Sequence, residues 1–165
     1  PGMTESAVAH RISAAIIDAG HTGVDFVIVA SGPNGANPHH SVSERVIGIG
    51  DPIVIDIGGT MPGGYRSDCT RTYVIGEASA DYSAAFEVLR HAQESSVAFV
   101  NGQRTCESID AHARGLMHHH HLDGRPLDDY FIHRIGHGIG LESHEEPYLV
   151  EGNTCLLYTS DAADD

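Results

Sequence analysis

DPIVIDIGGTMPGGYRSDCTRTYVI, residues 51–75, decides the fold. It opens with an apolar, β-branched run, passes through turn chemistry at Pro62, Gly63 and Gly64, and closes on a second run of strand-forming residues. That pattern reads as two antiparallel strands, 51–59 and 65–75, joined by a turn. An antiparallel pair set among helices argues for an α+β fold rather than a doubly wound parallel sheet. Asp56 ends the apolar run Ile53, Val54, Ile55, where a bare carboxylate is costly to desolvate unless a cation meets it. A turn centred near Pro62 puts Asp56 directly opposite Asp68, with Cβ atoms about 4.5–5.5 Å apart. Carboxylates that close repel each other unless they share a proton or a metal. A blander arrangement stays open, with one Asp capping the turn and the other paired with Arg66 or Arg71.

Upstream, Thr4 caps a predicted helix running to about Ala19, with Val8, Ile12, Ala15, Ile16 and Ala19 on one face and Gly20 past its end. VDFVIVA (24–30) is a strand, and SGPNGANPHH (31–40) is turn chemistry that brings His39 and His40 to the end of a loop. Downstream, Tyr82, Phe86, Leu89, Ala92 and Phe99 mark a long helix from Ser79 to about Asn101, closed by Gly102. A shorter helix follows over about 106–117, then HHHHLDGRPLDD (118–129), read as a solvated loop. FIHRIGHGIGLESHEEP (131–147) gathers His133, His137 and His144 among glycines. The spacing of His133 and His137 would suit a helical zinc site, but Gly136, Gly138 and Gly140 argue for an extended or bulged strand instead. Three histidines here, with an Asp pair elsewhere, point to a site rather than to one satisfied polar group.

At 165 residues the chain has the length of a single domain. Nine basic against 23 acidic residues, a net charge of −14, argue against nucleic acid or an anionic membrane as partner and make cations the natural guests. Cys69, Cys106 and Cys155 are scattered and lack a CxxC pair, which favours a reducing, cytoplasmic setting over a disulfide framework or thiolate zinc site. Cys69 falls on the sheet face opposite Asp68, as a small filler. Phosphate-binding GxGxxG and GxxxxGK motifs and the serine-nucleophile GxSxG are absent. The opening PGMTE carries no basic-then-apolar leader and runs straight into a helix, so the natural start is expected upstream.

SGPNGANPHH, then VIDIGGTMPGGYRSDCTRTY, then FIHRIGHGIGLESHEEPYLVEGN, in this order and spacing, resemble the catalytic domain of the creatinase / methionine aminopeptidase superfamily. Within it they are most similar to the proline peptidases, the Xaa-Pro aminopeptidases and Xaa-Pro dipeptidases (prolidases). The resemblance covers residues 1–154, with 155–165 (CLLYTSDAADD) unlike the family and read as adapter or read-through sequence. It implies an α+β pita-bread fold, incomplete for want of its C-terminal strands. It also implies two divalent ions, manganese foremost with cobalt or zinc as alternatives. By position, Asp56, Asp68 and His137 resemble metal ligands, while His39, His133 and His144 resemble the catalytic, substrate-binding histidines.

The activity implied is hydrolysis of the Xaa-Pro amide bond of peptides with proline second, by a hydroxide that the two metals activate, in a homodimeric parent. Two further glutamate ligands of the family have no counterpart here, since Glu145, Glu146 and Glu151 align with neither. The chain by itself is therefore expected to bind metal weakly and turn over little. A metal-free creatinase-type hydrolase and a non-catalytic peptide-binding relative are the alternatives.

Overall fold

A computed structural model describes residues 1–100 and 103–157. Residues 101, 102 and 158–165 lie outside the described residues, and with them the predicted end of the long helix and most of the tail. The chain divides into two compact units, one of Pro1–Ser79 with Ile139–His144, the other of Ala80–Gly138 with the described residues from Glu145. A length that suits one domain is thus shared between two bodies.

In the first unit, helix α1 (Glu5–Asp18) starts where expected, with the Thr4 hydroxyl accepting the Ala7 N–H at 3.1 Å. Strands β1 (Gly23–Ser31), β2 (Pro52–Thr60) and β3 (Arg66–Val74) form an antiparallel sheet in that order. Val27, Val29, Ile53 and Ile55 share one sheet face by alternation. Against it pack Val8, Ala9 and Ile12 of α1, with Ile47 from the loop. Each large aliphatic side chain fully buried in this way is worth about 1.5–3 kcal/mol. Ala15 and Ala19, expected on the inner face of the helix, are exposed, and Glu5 takes an inner position instead.

The hairpin register differs from the expected one. The last pair is Thr60 with Arg66, so the loop is 61–65 and its centre is Gly63 rather than Pro62. Met61 donates to the Tyr65 carbonyl at 2.8 Å, Gly64 donates to the Met61 carbonyl at 2.8 Å, and Gly64 takes a φ of +85° that favours glycine. Moving a turn centre by one residue moves every pairing partner by two, so Asp56 faces Thr70 and Asp68 faces Gly58. An even shift keeps both carboxylates on one sheet face.

In the second unit, α2 (Ala80–Phe99) packs on α3 (Cys106–His118), whose inner face buries Cys106, Ile109, Ala113 and Met117. Phe99 stacks on His112 with ring centroids 4.2 Å apart, and Arg104 covers the Phe99 ring at 4.0 Å. The 118–129 stretch is more ordered than a solvated loop. It folds as the short ribbon β4 (His121–Leu122) and β5 (Arg125–Pro126), followed by a 3₁₀ turn, and His118 Nδ1 lies 3.1 Å from Asp128. The glycine segment is extended, as its composition predicts. Strand β6 (Gly136–Gly138) pairs with β7 (Glu145–Leu149) through a register irregularity. A Cβ on Gly138 would lie 2.5 Å from the Glu146 carbonyl oxygen, so only glycine lets the two strands approach this closely.

Candidate functional site

Asp56 and Asp68 are diagonal neighbours across β2 and β3, a placement that sets such residues about 7–8 Å apart, with their Cβ atoms somewhat closer. Alternation puts them on the sheet face opposite the one that α1 covers. Asp56 is half-buried and Asp68 exposed. The Thr70 hydroxyl, directly across from Asp56, donates to its Oδ1 at 2.5 Å and fixes that carboxylate's orientation. The structure gives Asp56 a hydroxyl partner where an arginine was the alternative. Arg66 forms its ion pair with Asp25 at 2.7 Å, and Arg71 donates to the Thr70 carbonyl at 2.7 Å. Between the two aspartates, Gly58 makes room for an aromatic ring, since a Cβ there would lie 2.3 Å from Phe26. Cys69 is exposed on its edge strand rather than serving as filler.

His39 and His40 separate in role. The His39 side chain is exposed, while its backbone N–H donates to Asn37 Oδ1 at 3.1 Å. His40 turns inward, 13 % exposed, with Nε2 2.8 Å from Glu5 Oε2. Glu5 is fully buried and accepts from Ser31 N–H and Oγ, from Asn34 Nδ2, and from Ser43 N–H and Oγ, at 2.7–3.2 Å. Burial acts to raise its pKa, but the hydrogen bonds from Ser43, Asn34, Ser31 and His40 outweigh burial and hold it well below the usual glutamate range. Alongside, Arg45 grips Asp51 through both terminal nitrogens at 2.6 and 3.0 Å and donates to Ser31 Oγ at 2.7 Å. That pairing lowers the Asp51 pKa, with help from the Gly48 N–H. The loop carrying His39 is therefore tied to the first turn of α1. Sequence reasoning missed Glu5, Ser43 and Arg45. An acid in a first helical turn reads as a surface residue favoured by the helix dipole, and its partners lie 26 to 38 residues away.

In the second unit, His137 Nδ1 is 2.9 Å from the Gly138 carbonyl oxygen and His133 Nδ1 is 2.8 Å from the Arg134 carbonyl oxygen. A carbonyl only accepts, so each Nδ1 carries the proton and a neutral ring keeps its lone pair on Nε2. This is the tautomer in which an imidazole binds a metal through Nε2, with its other nitrogen held by a carbonyl. His144 is exposed at the end of the 139–144 segment, in the first unit, where Arg66 N–H donates to the Gly140 carbonyl at 2.7 Å. Asp56, Asp68, His39 and His144 thus belong to the first unit, His133 and His137 to the second. Among the described residues, no three or more His, Cys, Asp or Glu side chains are gathered as a metal would need. Carboxylate oxygens and an imidazole nitrogen are, by their chemistry, donors that divalent ions take.

The sequence profile described as Metallopeptidase family M24 matches residues 1–161. A probable dipeptidase PepE of Mycobacterium tuberculosis is 48 % identical over 157 residues, covering 95 % of this chain and 40 % of the relative. The crystal structure of dipeptidase PepE from Mycobacterium ulcerans superposes with a TM-score of 0.89 at 49 % identity, over 95 % of this chain and 41 % of that one. A recombinant prolidase from Thermococcus sibiricus gives 0.85 at 42 % identity, over 94 % and 41 %. The chain therefore spans about 40 % of the length of the relatives it matches. These likenesses bear out an α+β pita-bread fold, of which the chain holds part.

Proposed function

The chain belongs to metallopeptidase family M24, and on that premise we propose that it is part of a proline peptidase that hydrolyses the amide bond before proline in peptides. The observation that carries this reading is its likeness, over nearly its whole length, to proteins named dipeptidase and prolidase. We assign Asp56, Asp68 and His137 as holders of two divalent ions, manganese foremost. Such ions, when bound, supply the Lewis acidity that polarises an amide carbonyl and acidifies water. The chain's own residues prepare that chemistry. Thr70 orients Asp56, the Gly138 carbonyl holds His137 with its lone pair on Nε2, and the buried Glu5 network fixes the loop that carries His39. His39, His133 and His144 are assigned to hold the substrate and to take or give a proton at a ring nitrogen. Cytoplasmic residence and a homodimeric parent belong to the same reading. Three of the five ligand positions that the family resemblance implies have counterparts here, so little turnover is expected from these 165 residues alone.

Replacing the matching stretch of dipeptidase PepE of M. tuberculosis with residues 1–157 of this chain tests the reading. With manganese the chimera is expected to cleave Ala-Pro, and Asp68→Asn in it to lower the rate by about 100-fold or more. A folded chimera that cleaves Ala-Ala but leaves Ala-Pro intact would overturn the proline assignment.

A further inference from the structure

One charged side chain of the second unit does work that the proposed chemistry does not use. Asp110 and Arg114 stand one turn apart on α3, and Asp110 is 2 % exposed among the buried Ile109, Ala113 and Met117. Arg114 Nε donates to Asp110 Oδ2 at 2.8 Å. Its two terminal nitrogens reach across to the 131–133 segment, Nη1 to the Phe131 carbonyl and Nη2 to the His133 carbonyl, each at 2.9 Å. Three acceptors thus meet the three arms of one planar fork, an arrangement that the single ammonium of lysine cannot reproduce. The guanidinium also lies over the Phe131 ring, 5.0 Å from its centroid. Phe131 in turn packs against the His133 ring at 4.5 Å and 51°.

His133 is exposed, and the contact fixing its tautomer is the local one from Nδ1 to the carbonyl of the next residue. A short bond of that kind on an exposed, irregular segment persists only if the backbone on either side is held. The buried Asp110 carboxylate anchors Arg114, and Arg114 holds alternate carbonyls of the segment, so the restraint runs from the core of α3 to the ring. We propose that Arg114 is the positioning residue for His133, holding it in the Nδ1–H tautomer with Nε2 presented as a hydrogen-bond acceptor. Its significance for peptide cleavage rests on the substrate-binding role assigned to His133 above.

Nitrogen-15 NMR of the histidine rings of this chain, at a pH where they are neutral, tests it. The wild-type His133 is expected to show a protonated Nδ1 and an unprotonated Nε2. Arg114 is expected to show resolved terminal-nitrogen signals from slowed rotation. Arg114→Lys and Asp110→Asn should each shift the His133 tautomer balance several-fold toward Nε2–H, while the buried Met117 methyl signal and the His137 ring stay as they were. A wild-type His133 protonated at Nε2, or a folded Arg114→Lys chain whose tautomer is unchanged, overturns the proposal. Should both variants fail to fold, averaged Arg114 terminal-nitrogen signals in the wild type overturn it and resolved ones support it. Adding Ala-Pro to the same sample separates this inference from the peptidase reading. A locked tautomer whose Nε2 does not respond to the peptide counts against the substrate role of His133 and leaves Arg114 as its positioning residue.

Discussion

Glu5 shows how far a single residue's role can lie from its neighbours in sequence. It is buried, charged and bonded to four residues on three later stretches of chain. Glu5→Gln turns an acceptor oxygen into a donor amide in the middle of those donors, and removing one partner of a buried charged network costs about 3–5 kcal/mol. Urea unfolding followed by circular dichroism should show a loss of that order. The pH dependence has a definite sign. A carboxylate held below its unfolded pKa stabilises fully above about pH 4.3 and loses that contribution as pH falls toward its lowered folded value. The wild type should therefore lose stability on acidification more steeply than Glu5→Gln, and the gap between them should close. Thr70→Val is expected to act on function instead. Losing the bond to Asp56 should weaken manganese binding by about 10-fold, measured by calorimetry, with stability changed by only about 1 kcal/mol. Asp56, Asp68 and the histidines stand out in the sequence because carboxylates and imidazoles concentrate there. Glu5 and Arg114 do not, because nothing local marks an acid or an arginine whose partners arrive only with the fold.

The two glycine-bearing ladders illustrate what pattern reading reaches at the scale of elements. Alternation placed both aspartates on one sheet face, and that face is right. The exact partner depended on where five loop residues close, and Pro62 was a less reliable guide to the centre than the Gly63–Gly64 pair that follows it. The extended character of 136–138 was legible from its glycines. Its partner strand β7 was not, since EEPYL combines two acids with a proline and reads as neither helix nor strand. Gly138→Ala should be disruptive out of proportion to its size. The added methyl meets the Glu146 carbonyl at 2.5 Å, so hydrogen exchange of the β6–β7 amides should accelerate while α2 and α3 retain protection. Gly58→Ala meets both the Phe26 ring at 2.3 Å and the Ser67 carbonyl at 2.6 Å, and overpacking of this kind costs about 1–3 kcal/mol. Chemical denaturation would register that loss.

At the scale of the whole molecule, a strongly acidic chain with an α1-backed sheet in one unit and a helix pair in the other carries ligand candidates in both. Among the described residues no helix is long and apolar enough to cross a membrane. The α+β class followed from one antiparallel hairpin, whereas the division into two units did not, because no linker composition marks the boundary at Ser79. Asp56, Asp68 and His137 are the proposed ligands of a divalent metal. Calorimetric titration of manganese into this chain, beside its Asp68→Asn and His137→Ala variants, tests that assignment most directly. Weak but saturable binding by the wild type, abolished in both variants, is the expected result. A wild-type chain that folds and shows no saturable binding, or binding that survives in both variants, would contradict it.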